Sequence, residues 1–451
     1  IILLISLGSC RKDFDSKPSL GNLSFSTETV YLDTIFSNIG SSTYKLKVYN
    51  NSGEDIQIPT IGLENGNTSK YRLMVDGIAG QNFENIEIKS NDSIYIFVET
   101  TIDIEEYTNT ATEFLYTDNI VFDANNFIQN VSLVTLVKDA KMIFPSVLND
   151  GELNNFNLLS SQLNWTNELP YVIYGFPTVP DCETLNIEEG ARIYFHRDSG
   201  LIIPECSTII ADGDISIDED LLEKEIIFQG DRLEELYQNI PGQWGTIWLQ
   251  EGSTNNLFDY VTIKNGTIGI RSDGNDGDLT TTITNTQIYN HSINGLFAFN
   301  GNITGKNVVV GNCGQASVYL ALGGTYDFTH STFTNYWSNG FRSFPTLLIS
   351  NSLTTNDTIL IAALDAKFTN CIIYGNENLE FSFLKETGVD FNYKFKNCLM
   401  RFNDISNQFS NNELYDFNNT DFYEGNIFNE DPKFLDQNNN QFLIPEGESP
   451  A

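Results

Sequence analysis

Two groups of side chains in this chain have the types and spacing to do chemistry. The first is the run Asp273-Gly274-Asn275-Asp276-Gly277-Asp278, in which Asp273, Asp276 and Asp278 alternate with small residues between two strand-like segments. Such a turn can wrap Ca²⁺ in oxygen ligands. The EF-hand spacing is not met and no bidentate Glu follows, so a solvated acidic turn stands beside calcium as a reading. The second group is aromatic. Trp337, Phe341 and Phe344 cluster with Arg342, and Tyr319 and Tyr326 lie a little upstream. Exposed rings with Asn, Asp and Arg between them form a ligand platform for carbohydrate; the alternative is that the rings pack against their own chain. Other constellations fail on inspection. None of the three His (His196, His291, His330) sits between glycines, no two Asp are adjacent, and no two Cys are close enough for a zinc knuckle. No catalytic residue is assigned, and calcium is the one cofactor the residues suggest.

The elements that must position these groups are strands. The chain has 451 residues, with 24 Lys+Arg against 60 Asp+Glu, a net charge of −36. That balance excludes nucleic acid as a partner, because phosphate recognition needs basic surface, and it excludes a polybasic membrane-surface protein. Residues 21–144 alternate apolar and polar at Tyr44–Tyr49, Asp55–Ile58, Ile86–Lys89 and Val131–Val137, with turn signals between, which predicts a β-sandwich. Residues 145–164 read as a linker. From Trp165 an apolar-x-Asn unit recurs at Ile263/Asn265, Ile283/Asn285, Phe328/His330, Ile349/Asn351, Phe368/Asn370 and Phe395/Asn397, with a weaker copy at Ile303/Gly305, at intervals of 19 to 27 residues. That period fits one coil of a parallel β-helix, three short strands joined by turns, with the Asn residues stacked in register. Trp244 and Trp248, four apart, are expected on one core-facing side, and the i, i+3, i+4 apolar spacing of Asp231–Tyr237 predicts a short helical insert.

The segments Pro170–Phe195 (with Thr184-Leu185-x-Ile187-x-x-Gly190), Pro241–Ile270 (with Gln243-Trp244-Gly245) and Asn429–Ala451 (with Asp431-Pro432-x-Phe434 and Ser449-Pro450-Ala451) resemble the right-handed parallel β-helix proteins of bacterial surfaces. The resemblance implies an all-β chain, with a pectate-lyase-like solenoid over 165–451 whose C-terminal cap is cut short. Residues 21–144 resemble the immunoglobulin-like domains of exported bacterial proteins, without a Cys pair or a core Trp. Leu7-Gly8-Ser9-Cys10, after an apolar run, resembles a bacterial lipobox, so 1–9 reads as a signal-peptide remnant and 10–20 as a tether lipidated at Cys10. Arg11-Lys12-Asp13-Phe14-Asp15 loosely resembles a surface-export signal. These features imply an outer-membrane, surface-exposed lipoprotein with a glycan, a matrix component or another outer-membrane protein as partner. Related solenoids include polysaccharide lyases and glycoside hydrolases, but their paired catalytic carboxylates and Gly-His-Gly pattern are absent, which leaves such an enzyme with a non-standard acidic site as the alternative. In the coil register Cys182 and Cys206 fall one coil apart, as do Cys371 and Cys398. Adjacent rungs lie within disulfide reach, so the first pair is expected as a disulfide and the second as stacked core thiols.

Overall fold

The computed structural model describes residues 16–108, 111–124, 127–145, 155–218, 221–274, 279–354 and 358–451. Contacts divide the chain into two units, breaking between Ala140 and Lys141. The first unit is a β-sandwich. Its strands alternate as a two-faced sheet requires: in Asp92–Thr100, Ile94, Ile96 and Val98 point inward and are buried, while Tyr95 and Phe97 face out. Asp92–Thr100 pairs antiparallel with Tyr44–Asn50 on one side and Tyr71–Val75 on the other, at the centre of a five-stranded sheet. The second, six-stranded sheet is centred on the antiparallel pair Glu113–Asp123 and Ile128–Lys138. One buried cluster containing Leu46, Ile96, Ile120 and Leu133 fills the space between them.

The second unit is a parallel β-helix. Successive coils return about one strand spacing further along the axis and hydrogen-bond in parallel, in a nine-stranded sheet and a nineteen-stranded path in which most strands meet their partner one coil on. Its interior holds stacks of like residues. Phe328, Phe368 and Phe395 follow one another in register, with ring centroids 5.9 and 4.8 Å apart. In the preceding coil that position is Gly305, paired with Phe328; a Cβ there would lie 2.3 Å from a ring carbon of Phe328. The ring occupies the space that a side chain would need.

The first coil begins earlier than the sequence suggests. Lys141–Ile143 pairs with Tyr171–Ile173, Asn155–Asn157 with Phe176–Thr178, and Asn164–Trp165 with Asn186–Ile187. Within the predicted linker 145–164, residues 146–154 lie outside the described residues and 155–164 belong to the solenoid. Short strands with single polar residues between them leave little periodicity to read there. The expected helical insert is one 3₁₀ turn, Glu235–Tyr237, with Leu236 exposed.

The apolar-x-Asn repeat resolves into three ladders. Ile283, Phe328, Phe368 and Phe395 share one, with Asn285, His330, Asn370 and Asn397 all at positive φ on its turn. Asn307, not Gly305, is their equivalent in the intervening coil, and its amide donates to Asn285 Oδ1 at 2.8 Å. Asn265 lies on a separate turn beneath Asn290, which donates to it at 2.7 Å. Ile349 belongs to the nine-stranded sheet. The motif therefore marks turns at more than one corner of the coil: Asn265 shares the positive φ of the first ladder's turn residues and Asn351 does not, since Asn bonds to nearby backbone in either conformation.

Candidate functional site

Strands of the nine-stranded sheet send alternate side chains into the core and out to solvent. Ile247 and Leu249 are buried, so Trp248 between them faces out, half-buried. Register then stacks one row across consecutive coils: Ile202, Trp248, Arg271, Phe297, Tyr319 and Leu348, of which the middle four are partly exposed and form the outward row while Ile202 and Leu348 at its ends are buried. The guanidinium of Arg271 lies 4.4 Å from the Trp248 ring centroid, and Phe297 meets Tyr319 edge-on at 5.4 Å. Asp273 completes the group. Arg271 donates to it through Nε at 3.0 Å and Nη2 at 2.8 Å, and the Trp248 indole donates to it at 2.7 Å. A partly exposed ion pair and cation–π contact contribute at most about 1 kcal/mol each, so their effect is to fix orientation more than to stabilise the fold.

Trp248, Arg271 and Asp273 floor an open cleft of about 1090 Å³, bounded by the turns that follow their strands and the neighbouring ones. Six consecutive coils leave the sheet through a left-handed residue: Cys182, Cys206, Gly252, Gly274, Asn300 and Leu322. Gly252 and Gly274 carry a second constraint: a Cβ would come within 2.6 Å of Glu205 Cγ and 2.5 Å of Glu251 Cγ, respectively. The side chain of one coil therefore lies over the glycine of the next, and Asp181, Glu205 and Glu251 line the rim. Among the described residues no ion pair reaches any of these three. Cys182 and Cys206 are joined by a disulfide at the same rim, with Cα atoms 4.5 Å apart.

The aromatic platform expected from the sequence does not form. Tyr326 is 1% exposed, its hydroxyl donating to Gly323 O at 2.9 Å and accepting from Gly301 N–H at 3.0 Å. Arg342 is also buried: its guanidinium donates to Glu380 at 2.8 and 3.0 Å, to Asn376 Oδ1 at 2.6 Å and to the carbonyl of Phe344 at 2.6 Å. The fully buried Glu380 also accepts from Thr346 N–H at 2.9 Å and Glu377 N–H at 2.7 Å, so the pair pins its loop to the following coil. Trp337 and Phe344 are half-buried there, and Phe341 alone projects fully, at 93% exposure. Tyr319 is half-buried in the outward row, away from the group it was read with.

Trp248 was the residue missed. Trp244 is core, donating to Lys264 O at 2.9 Å, but it precedes the strand and makes only an isolated bridge to Gly266. Four-residue spacing across a turn does not preserve the face. The calcium reading rested on Asp273, Asp276 and Asp278; the Asp273 carboxylate is taken by Arg271 and Trp248, and Asp276 and Asp278 lie outside the described residues. Among the described residues no group of three or more His, Cys, Asp or Glu could hold a metal ion. Cys10 also lies outside them. Cys371 and Cys398 are buried thiols on adjacent rungs; their mutual hydrogen bond and burial hold the Cys371 pKa well up.

A smaller polar group lies at another corner, on the turns after Ile173, Phe195 and Gly230. His196 Nδ1 is 2.7 Å from the nearly buried carboxylate of Asp231, and the ring of Tyr174 stacks on the imidazole at 4.3 Å. Burial and the charge of Asp231 push the Tyr174 phenol up to about 12. A carboxylate-held imidazole can transfer a proton.

No family model matches the chain, and no curated protein matches it. Among solved structures it is similar to the periplasmic alginate epimerase AlgG at 8% identity and a TM-score of 0.23, over 72% of this chain and 92% of that one. It is similar to the periplasmic chaperone SfaE at 12% identity and a TM-score of 0.18, over 27% of this chain and 60% of that one. A family 123 glycoside hydrolase from Clostridium perfringens is similar at 14% identity and a TM-score of 0.17, over 30% and 27%. This chain thus spans less than two thirds of the chaperone and of the hydrolase.

Proposed function

We propose that this is an exported carbohydrate-binding protein that holds an extended glycan along the outer face of the nine-stranded sheet. One observation carries the reading: Trp248, Arg271 and Asp273 are locked to one another on the floor of an open cleft and continue in register into Phe297 and Tyr319. A row of fixed aromatic and hydrogen-bonding groups suits an extended ligand, because successive coils each add a contact one rung further on and little side-chain entropy is lost on binding. The Cys182–Cys206 disulfide supports an oxidising compartment outside the cytoplasm. No helix among the described residues is long and apolar enough to cross a membrane. Tethering to the outer membrane through a lipid on Cys10, with surface exposure and an outer-membrane protein or matrix partner, remains part of this proposal. So does the immunoglobulin-like character of the first unit, as a spacer between anchor and solenoid.

Affinity electrophoresis of the chain through gels containing individual polysaccharides tests the reading. Retardation by at least one polymer, weakened tenfold or more by Trp248→Ala, is expected; retardation unchanged by that substitution would move the site elsewhere. The same incubations, assayed for new reducing or unsaturated ends, test the lyase or hydrolase alternative. Product formation abolished by His196→Ala or by substitution of the rim acids would establish it.

A further inference from the structure

We infer that the glycan held in this cleft is uncharged, and that polymers of uronate residues are excluded from it; the inference rests on the cleft being the glycan site. Four carboxylates line the cleft, Asp181, Glu205, Glu251 and Asp273, against the single guanidinium of Arg271. That guanidinium is already committed. Nε and Nη2 donate to Asp273, and its face lies on the Trp248 ring. Its Nε–Nη2 edge and its charge are thus taken up by Asp273, so a ligand carboxylate reaching the remaining Nη1 edge meets a cation that is already compensated.

Among the described residues the three rim acids remain without a cation, and strand register spaces them along the axis. Thr178 pairs with Ile202 and Ile203 with Leu249, which brings the turns carrying Asp181, Glu205 and Glu251 one above another at about 4.8 Å per rung. A uronate polymer threaded along the cleft would bring its carboxylates within a Debye length of all three, on a chain whose net charge is −36. Sugar hydroxyls meet the opposite situation. Each is a donor, and an ionised carboxylate accepts only, so the same three groups become charge-assisted hydrogen-bond partners for an uncharged chain.

The experiment uses the full chain and a panel of neutral glucans, mannans and galactans beside polygalacturonate and alginate. Whichever neutral polymer binds is then compared with its own C6-oxidised derivative, which keeps the backbone and adds one carboxylate per oxidised residue. Binding of the oxidised form is expected to be at least tenfold weaker at low salt, with the gap closing as salt is raised. Glu205→Gln combined with Glu251→Gln, at two exposed positions, is expected to close the same gap at low salt. Equal or tighter binding of the oxidised form, preferential binding of polygalacturonate or alginate, or a gap unmoved by the double substitution would each overturn the charge inference while leaving the carbohydrate site standing. Failure of every polymer, neutral and charged, would overturn the proposed function and this inference with it.

Discussion

His291 makes the stability of the solenoid depend on pH. It is fully buried: its Nδ1 accepts from the Gly266 N–H at 3.1 Å and its Nε2 faces the Ile263 carbonyl at 3.2 Å. This satisfies the neutral ring with its proton on Nε2. A second proton would be placed against the Gly266 N–H, and burial holds the pKa down at about 4 against an ordinary 6.5. Between those values the unfolded chain binds a proton that the folded one refuses. The resulting stability is therefore complete above about pH 6.5 and is lost as pH falls towards about 4. The 2.5-unit gap, at about 1.4 kcal/mol per unit, corresponds to roughly 3 kcal/mol. His291→Gln isolates this from the other titrating groups, since Gln offers an acceptor and a donor to the same two partners and does not titrate. Because solenoids need not unfold in one step, the assay is amide hydrogen exchange across Val261–Tyr289 alongside urea unfolding, from pH 7.5 to 4.5. The native chain should lose about 2–3 kcal/mol more than the variant over that range. Parallel pH profiles for the two proteins would refute the reasoning.

Three other outcomes follow from the packing. Arg342→Met strands the buried Glu380 carboxylate and should cost about 3–5 kcal/mol, read as a lowered melting temperature and earlier proteolysis at Trp337–Thr346; an unchanged cleavage pattern would count against the clamp. Gly305→Val drives a Cβ into the Phe328 ring and should cost about 1–3 kcal/mol, with partial rescue by Phe328→Leu, measured by denaturant midpoint. Cys182→Ser with Cys206→Ser opens a crosslink between residues 24 apart and should cost about 3 kcal/mol by loop-entropy reasoning, detected as a midpoint shift that reducing agent reproduces in the native chain.

The solenoid and the sandwich were legible because period-2 alternation and left-handed Asn turns are local signals. One coil's spacing made the proximity of Cys182 to Cys206 legible, as it did for Cys371 and Cys398, but spacing alone does not tell the bonded pair from the free one. What failed were inferences that need the phase of a turn. Trp248 faces out because the strand begins at Ile247, after Trp244 has already bridged to another coil. Arg342 looked like a surface ligand because its partner Glu380 lies 38 residues further on, in the next coil. Gly305 interrupts its ladder because the Phe328 ring fills its place, and no local pattern announces a residue whose meaning is the size of its neighbour.

Hydrogen exchange of the full chain with and without a bound oligosaccharide, drawn from whichever polymer retards it, tests the central claim most directly. The account predicts new protection confined to Pro180–Cys182, Leu201–Cys206, Ile247–Glu251, Ile268–Gly274, Asn294–Asn300 and Val318–Leu322, the strands and turns that carry the outward row and line the cleft. Protection centred on Trp337–Thr346, or on the corner holding His196 and Asp231 with the nine-stranded sheet unchanged, would contradict it.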